Sequence, residues 1–250
     1  MKDKLLHGVP CIGSWCQVGH SANAEIIARA GFEWSALDCE HGEAEEADIS
    51  GFCRALRQFD CTPLVRVRAN DLLSVRRALD LGAEGVIIPL VNCAKDAERA
   101  VAAAKYPPDG IRGFAFHRGN NWGVDFDEYV KKANAGIMVI VMIESKEAVD
   151  NIDEILAVEG VDGVFIGPYD MSGSYGIAGQ TGNSIIRDAC RKVACACRQR
   201  GKAAGQHIVV PTNESVQTAL EQGFSLLALG MDTVFLANGA KQAMGMAKND

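Results

Sequence analysis

The chain has 250 residues, of which 48% are hydrophobic and 23% charged, and its net charge at pH 7 is -7. This composition is typical of a globular protein with ample material for a core, and the length fits one barrel domain. The acidic balance and the lack of a basic cluster argue against a nucleic-acid partner.

The opening stretch, MKDKLLHGVPCIGSW, is too short and too polar for a signal peptide, and no apolar run approaches 18 residues. We therefore expect no membrane partner and a cytoplasmic location. The nine cysteines are irregularly spaced and include no C-x-x-C pair. This pattern predicts reduced thiols that serve as small apolar residues.

Along the chain, eight short apolar runs alternate with amphipathic segments. The runs cover residues 10–17, 32–39, 62–68, 85–92, 137–144, 162–168, 203–209 and 224–230. Several amphipathic segments open on Ser, Asp or Thr and close on Gly, as helix capping favours. The alternation predicts a (β/α)8 TIM barrel over residues 1–250 as a single domain. A doubly wound open sheet is the alternative, although GSYGIAG is not a dinucleotide-binding fingerprint.

One segment, residues 106–126, interrupts this alternation. It is rich in Gly, Pro and aromatic residues, carries Arg112 and Arg118, and has no clear period. Loops of this length in compact domains are usually functional or disordered. We expect an ordered active-site loop that forms a wall beside a pocket.

Active sites of such barrels lie at the carboxyl ends of the strands, where acidic residues follow two of the runs. Glu144 closes the fifth run on the face of Met138, Ile140 and Met142, and Asp170 follows the sixth. Together, the two carboxylates could bind one Mg²⁺ or Mn²⁺ ion. Alternatively, Glu144 forms an ion pair with Arg66 of the third run, and Asp170 is a helix N-cap.

Three further polar residues follow the second and third runs. Arg66 has the guanidinium fork that would bind a carboxylate or a developing enolate. His41 lies three residues after Asp38, and the pair could act as an oriented general base. The cluster in ALDCEHGE is therefore interpreted as part of a catalytic rim.

The motifs DCEHG, PLVRV, LDLGAEGVIIPLVN, YPPDGIRG and VEGVDGVFIGPYDMS resemble, in order and spacing, the HpcH/HpaI family of class II pyruvate aldolases. The resemblance covers nearly the whole chain, from about residue 13 to residue 234. It implies a pyruvate-type barrel and reversible cleavage of a 4-hydroxy-2-oxo acid to pyruvate and an aldehyde. It also implies a divalent cation, Mg²⁺, Mn²⁺ or Co²⁺, and no organic cofactor.

The resemblance also implies a role for individual residues. Glu144 and Asp170 match the metal ligands, and His41 matches the catalytic base. Asp80 matches an acid that raises the basicity of this histidine. The positions implied to contact the 2-oxo acid substrate are Arg66, which steadies the enolate, Tyr169, which acts through its backbone, Asp170 and Met142. A homo-oligomer is implied as well, a trimer or a hexamer that exchanges the last helix.

Met142 is a departure, because the family usually carries Gln at this position and a thioether cannot donate a hydrogen bond. One alternative function is therefore a condensing enzyme that uses oxaloacetate, similar to citrate synthase or macrophomate synthase of this fold. A non-catalytic binding barrel is a second alternative. A lysine Schiff base is disfavoured, because no run carries a lysine near its carboxyl end: Lys146 belongs to the following helical segment and Lys202 lies at the start of a run.

Overall fold

A computed structural model of the chain describes residues 1–247. Eight parallel strands pair in sequence order and close into a barrel, because the first strand also pairs with the eighth. The strands are β1 (Cys11–Cys16), β2 (Trp34–Asp38), β3 (Thr62–Arg66), β4 (Gly85–Ile88), β5 (Met138–Ile143), β6 (Gly163–Ile166), β7 (Ala203–Ile208) and β8 (Leu226–Met231). Each strand falls within one predicted run or exceeds it by one residue, so the TIM-barrel prediction is confirmed and the open sheet is excluded.

Twelve α-helices are found among the described residues. They are α1 (Lys2–Leu6), α2 (Ser21–Arg29), α3 (Glu46–Arg57), α4 (Leu72–Asp80), α5 (Ala94–Ala104), α6 (Phe126–Gly136), α7 (Lys146–Asp150), α8 (Ile152–Ala157), α9 (Pro168–Ser174), α10 (Ser184–Gln199), α11 (Asn213–Glu221) and α12 (Asp232–Ala247). Capping fixes several of their starts: Asp71, Ser145 and Thr212 each accept a hydrogen bond from the backbone N–H three residues on.

The alternation of side chains along the strands divides the core into two layers. One face packs against the helices, and the other fills the barrel. Trp34, Met138 and Leu226, the first residues of their strands, belong to the inner layer and close the lower end of the barrel. Gly13 makes room for the indole of Trp34, because a Cβ at this position would lie 2.1 Å from the ring.

The segment 106–126 does not lie beside the carboxyl ends of the strands of its own chain. It joins α5 to α6, which directly precedes β5, so it lies at the amino ends of the strands. Buried Arg112 holds it there, with its guanidinium 2.7 Å from the Asp80 carboxylate and stacked over the Tyr106 ring. The loop therefore does not reach the active site of its own chain, contrary to the prediction, because it follows a helix, which returns the chain to the lower end of the barrel.

The nine cysteines are all unpaired, and six are buried. Burial raises the pKa of Cys16 and Cys53 to about 12, so these thiols stay protonated and pack as apolar groups. Over residues 1–247, no helix is both long enough and apolar enough to cross a membrane.

Candidate active site

The carboxyl ends of the strands surround a cavity of about 810 Å³. Five predicted site residues line it: Asp38, Arg66, Met142, Tyr169 and Asp170. Glu144 lies directly behind the cavity wall, because a Cβ on the cavity-lining Gly167 would be 2.9 Å from the Glu144 Cβ. The barrel thus brings most of the predicted residues together at its upper end.

Asp38 and Arg66 form the rigid centre of the site. They end β2 and β3 at paired positions, and Arg66 donates to both oxygens of Asp38, from Nε to Oδ1 at 2.9 Å and from Nη2 to Oδ2. Asp38 Oδ1 also accepts from the backbone N–H groups of Glu40 and His41, and Oδ2 accepts from Trp15 Nε1. This buried carboxylate therefore orients the guanidinium and the turn that follows β2.

The charge of Asp38 is maintained by its partners. Burial alone would raise the pKa of Asp38, but the hydrogen bonds and charge of Arg66, with the amide of His41 and the indole of Trp15, outweigh it. The pKa of Asp38 therefore lies below its ordinary value, and the carboxylate is ionised at neutral pH.

The sequence predicts that Asp38 orients the imidazole of His41, but Asp38 binds only the backbone N–H of His41 and not its ring. The ring is 63% exposed, and its Nε2 lies 3.8 Å from Glu40 Oε2. Glu40 in turn lies 3.2 Å from Arg66 Nη1, as an ion pair without hydrogen-bond geometry. Burial raises the pKa of Glu40, and the charges of Glu144 and Asp38 add to the rise. The exposed His41 ring is not among the residues that line the cavity.

Glu144 follows β5 and is only 8% exposed. Its Oε1 accepts a hydrogen bond of 2.8 Å from the backbone N–H of Leu90, a residue with a φ of 57°. Burial raises the pKa of Glu144, and the charge of Asp170 raises it further. In the described chain, Glu144 has no ion pair with Arg66, which rules out that alternative reading of Glu144.

Asp170 and Tyr169 lie in the first turn of α9. The N-cap of this helix is Gly167, so the alternative that Asp170 is the cap is wrong. Both side chains are exposed towards the cavity mouth. The backbone N–H groups at the start of α9 have no partner within the helix, which leaves them available to a ligand.

Met142 faces the barrel interior two residues before Glu144, as the alternation predicted. It is 4% exposed, and its Sδ lies 3.9 Å from Arg66 Nη1. A thioether therefore occupies the position from which an amide could have donated to a substrate.

The residues present fit a divalent cation. Glu144 and Asp170 are two carboxylates close enough for the charge of Asp170 to raise the pKa of Glu144, and no described residue donates to Glu144 Oε2. A cation would relieve this repulsion, and oxygen ligands suit Mg²⁺ or Mn²⁺. Within residues 1–247 no cluster of three or more acidic, His or Cys side chains forms a metal site, so remaining ligands would come from substrate and water.

Asp80 is not near His41 within one chain. It ends α4 at the lower end of the barrel, where it contacts Arg112 at 2.7 Å and His117 Nε2 at 3.3 Å. The length of α4 places it roughly 15 Å below the rim that carries His41.

Three site residues were not identified from the sequence: Trp15, Leu90 and His207. Trp15 stacks on His207 of β7 with a ring separation of 5.4 Å, and both line the cavity. Glu40 belongs to the cluster in ALDCEHGE, for which a place in a catalytic rim is predicted. The role of Leu90 depends on a left-handed φ, which no local pattern predicts for leucine.

Comparison with known proteins places this geometry in one family. The family model described as HpcH/HpaI aldolase/citrate lyase matches residues 12–239. The chain is 38% identical to the 4-hydroxy-2-oxo-heptane-1,7-dioate aldolase of Salmonella paratyphi C over 253 residues, which cover 99% of this chain and 95% of that protein.

Two solved structures are similar over nearly their whole length. The HpcH/HpaI aldolase of Desulfitobacterium hafniense matches with a TM-score of 0.93 at 32% identity, covering 100% of this chain and 97% of that one. The citrate synthase SbnG matches with a TM-score of 0.88 at 28% identity, covering 99% and 97%.

Proposed function

This chain belongs to the HpcH/HpaI aldolase/citrate lyase family, and from that premise we propose that it is a divalent-metal-dependent, class II pyruvate aldolase of the cytoplasm. It cleaves a 4-hydroxy-2-oxo acid to pyruvate and an aldehyde, and catalyses the reverse addition. The observation that supports this most directly is the arrangement of two carboxylates, Glu144 and Asp170, beside an arginine fixed by Asp38 in one cavity.

Glu144 and Asp170 would hold the cation. When bound, it supplies a Lewis acid that attracts the carboxylate and 2-oxo oxygens of the substrate. Leu90 holds Glu144 in place through the backbone hydrogen bond, so one oxygen of the buried carboxylate is left for this purpose.

The protein residues account for the remaining steps. Arg66 uses Nε and Nη2 to bind Asp38, whereas Nη1 has an ion pair with Glu40 that lacks hydrogen-bond geometry. Nη1 would therefore turn its hydrogen-bonding capacity to the 2-oxo oxygen and stabilise negative charge there as the C3–C4 bond breaks. His41 takes the proton of the 4-hydroxyl group, and the C4 atom leaves as the aldehyde carbonyl. The protonated His41 returns this proton to C3 of the enolate, which becomes pyruvate.

Oxaloacetate condensation is the second candidate function. It is supported by Met142, which differs from the usual amide, and by the likeness to the citrate synthase SbnG. Both functions use the same enolate chemistry and differ in the acceptor.

We also propose that the enzyme is a homo-oligomer, a trimer or a hexamer, with the last helix exchanged between copies. Helix α12 exposes large apolar side chains, among them Leu236 at 75%, as the loop 106–126 does with Phe116 and Trp122. Because Asp80 cannot reach His41 within its chain, the role that the family resemblance implies for it would need a second copy. Light scattering with size-exclusion chromatography tests the assembly.

Pyruvate release from 4-hydroxy-2-oxo acids, before and after chelation, tests the proposed activity. Turnover should disappear in metal-free protein and return with Mg²⁺, Mn²⁺ or Co²⁺. Glu144→Gln should abolish it at saturating metal, whereas Glu154→Gln, on the exposed face of α8 and away from the cavity, should retain it. Full activity of verified metal-free protein would refute the metal assignment.

A further inference from the structure

One wall of the cavity is built from two stacked aromatic rings. Trp15 of β1 and His207 of β7 lie with ring centroids 5.4 Å apart and planes 17° from parallel. The guanidinium of Arg66 lies over Trp15 at 5.2 Å, and the indole nitrogen donates to Asp38. Trp15 thus contacts both the Arg66–Asp38 pair, where the oxo acid would bind, and the ring of His207.

The hydrogen bonds of His207 define which of its nitrogens carries the proton. Its Nε2 lies 3.0 Å from the backbone carbonyl oxygen of Gly230. A carbonyl oxygen can only accept, so Nε2 is the donor. Burial lowers the pKa of His207, and the charge of Arg66 lowers it further against the opposing effects of the Gly230 carbonyl and of Asp38. The ring is therefore neutral at pH 7, and Nδ1 carries a lone pair.

The lone pair on Nδ1 has no partner among the described residues, and His207 lines the cavity. Met142 and Phe165 of the inner layer add apolar surface to the same cavity. An uncharged acceptor in such surroundings favours a ligand group that donates a hydrogen bond.

Building on the aldolase function proposed above, we propose that His207 selects the aldehyde half of the substrate. Its Nδ1 accepts a hydrogen bond from a hydroxyl group, so the enzyme prefers a short hydroxy-aldehyde to an aldehyde that ends in a carboxylate. This acceptor class differs from the one implied by the name of the Salmonella relatives, whose substrate is a dioate.

The charges of the cavity agree with this preference. A carboxylate would face the Nδ1 lone pair of His207, and Glu214 of α11 adds a negative group to the same cavity. Of the arginines that line it, Arg66 is already paired with Asp38 and Glu40. Arg187 is exposed at the start of α10 and is the remaining cation that a distal carboxylate could reach.

The test is the addition of pyruvate to glycolaldehyde and to propanal, two aldehydes that differ by a hydroxyl in place of a methyl group. The ratio of their kcat/KM values should fall about fivefold in His207→Phe, the value of one net hydrogen bond. Phenylalanine keeps the stacking on Trp15 and removes the acceptor. His207→Asn, which places an oxygen near the former Nδ1, should retain part of the ratio. Arg187→Gln is the matched control and should leave it unchanged.

Two outcomes overturn the inference. One is an unchanged ratio in His207→Phe; the other is a preference for succinic semialdehyde that is lost in Arg187→Gln. If circular dichroism shows that His207→Phe is misfolded, His207→Asn and the apolar variant His207→Leu decide. His207→Asn should keep part of the ratio of the kcat/KM values, and His207→Leu should lose it. A ratio in His207→Leu equal to that of the parent overturns the inference as well. Failure of the unaltered, metal-loaded enzyme with every aldehyde would instead refute the aldolase function itself.

Discussion

Arg66 and Asp38 occupy paired positions at the ends of adjacent strands, and their side chains meet through two parallel hydrogen bonds. Strand register alone therefore brings the two charges together, before any loop is placed. The guanidinium cannot rotate away from the cavity without breaking both bonds. Pre-organisation of this kind lets a side chain stabilise a developing charge without rearrangement during the reaction.

Arg66→Lys should preserve the charge and lose most of the activity. A lysine ammonium cannot bind both oxygens of Asp38 and present a further donor to the substrate. We expect kcat/KM to fall about 10²–10³-fold, as for the loss of an oxyanion donor. Steady-state kinetics measure it, with Arg68→Lys, an exposed neighbour paired with Glu45, as the control. A change of only a few-fold would mean that Arg66 serves as a counter-ion for Asp38.

Asp38→Asn should destabilise the protein in a pH-dependent way. The substitution leaves the partly buried Arg66 without its main partner, which costs about 3 kcal/mol of unfolding free energy at pH 7. Because the pKa of Asp38 is lower in the folded than in the unfolded state, its contribution is complete above the unfolded value and is lost as the pH falls through the folded value. Urea unfolding at several pH values should show the difference between parent and variant shrinking below about pH 4. A difference independent of pH would contradict this account.

Glu144→Gln should stabilise the metal-free protein while it abolishes turnover. The pKa of Glu144 is raised in the folded state, so its favourable contribution exists below the unfolded pKa and disappears as the pH rises through the folded one. Glutamine is neutral and still offers an oxygen to the Leu90 N–H. Thermal unfolding in chelator should therefore give a higher Tm for the variant at pH 8 and equal values at pH 4. Added metal should raise the Tm of the parent alone.

Met142→Gln should shift the choice of aldehyde towards polar acceptors. The new amide would lie beside Arg66, which can donate to its oxygen and leave its N–H groups for a substrate. The change amounts to about 1 kcal/mol, the scale of one net hydrogen bond. Ratios of kcat/KM for glycolaldehyde and succinic semialdehyde, with self-condensation of pyruvate measured separately, test this. Identical ratios in parent and variant would show that residue 142 does not contact the acceptor.

The strands and the inner-face position of Met142 could be predicted from the sequence, because a period of two residues along each run sets which side chains share a face. Which charged side chains pair with each other could not be predicted from the sequence. Asp38 precedes His41 by three residues, yet it binds Arg66, 28 residues away, because strand register places that side chain closer. The position of residues 106–126 was also missed, since composition identifies a loop without telling at which end of the barrel it lies.

The closed lower end of the barrel determines the order in which molecules pass through the site. Trp34, Met138 and Leu226 leave no exit below, so both products depart through the mouth. In the proposed reaction pyruvate would form at the nearly buried Arg66, whereas the aldehyde would form near the exposed ring of His41. We therefore expect the aldehyde to leave first and pyruvate last. Pyruvate should accordingly inhibit cleavage competitively against the 4-hydroxy-2-oxo acid, and the aldehyde should inhibit noncompetitively.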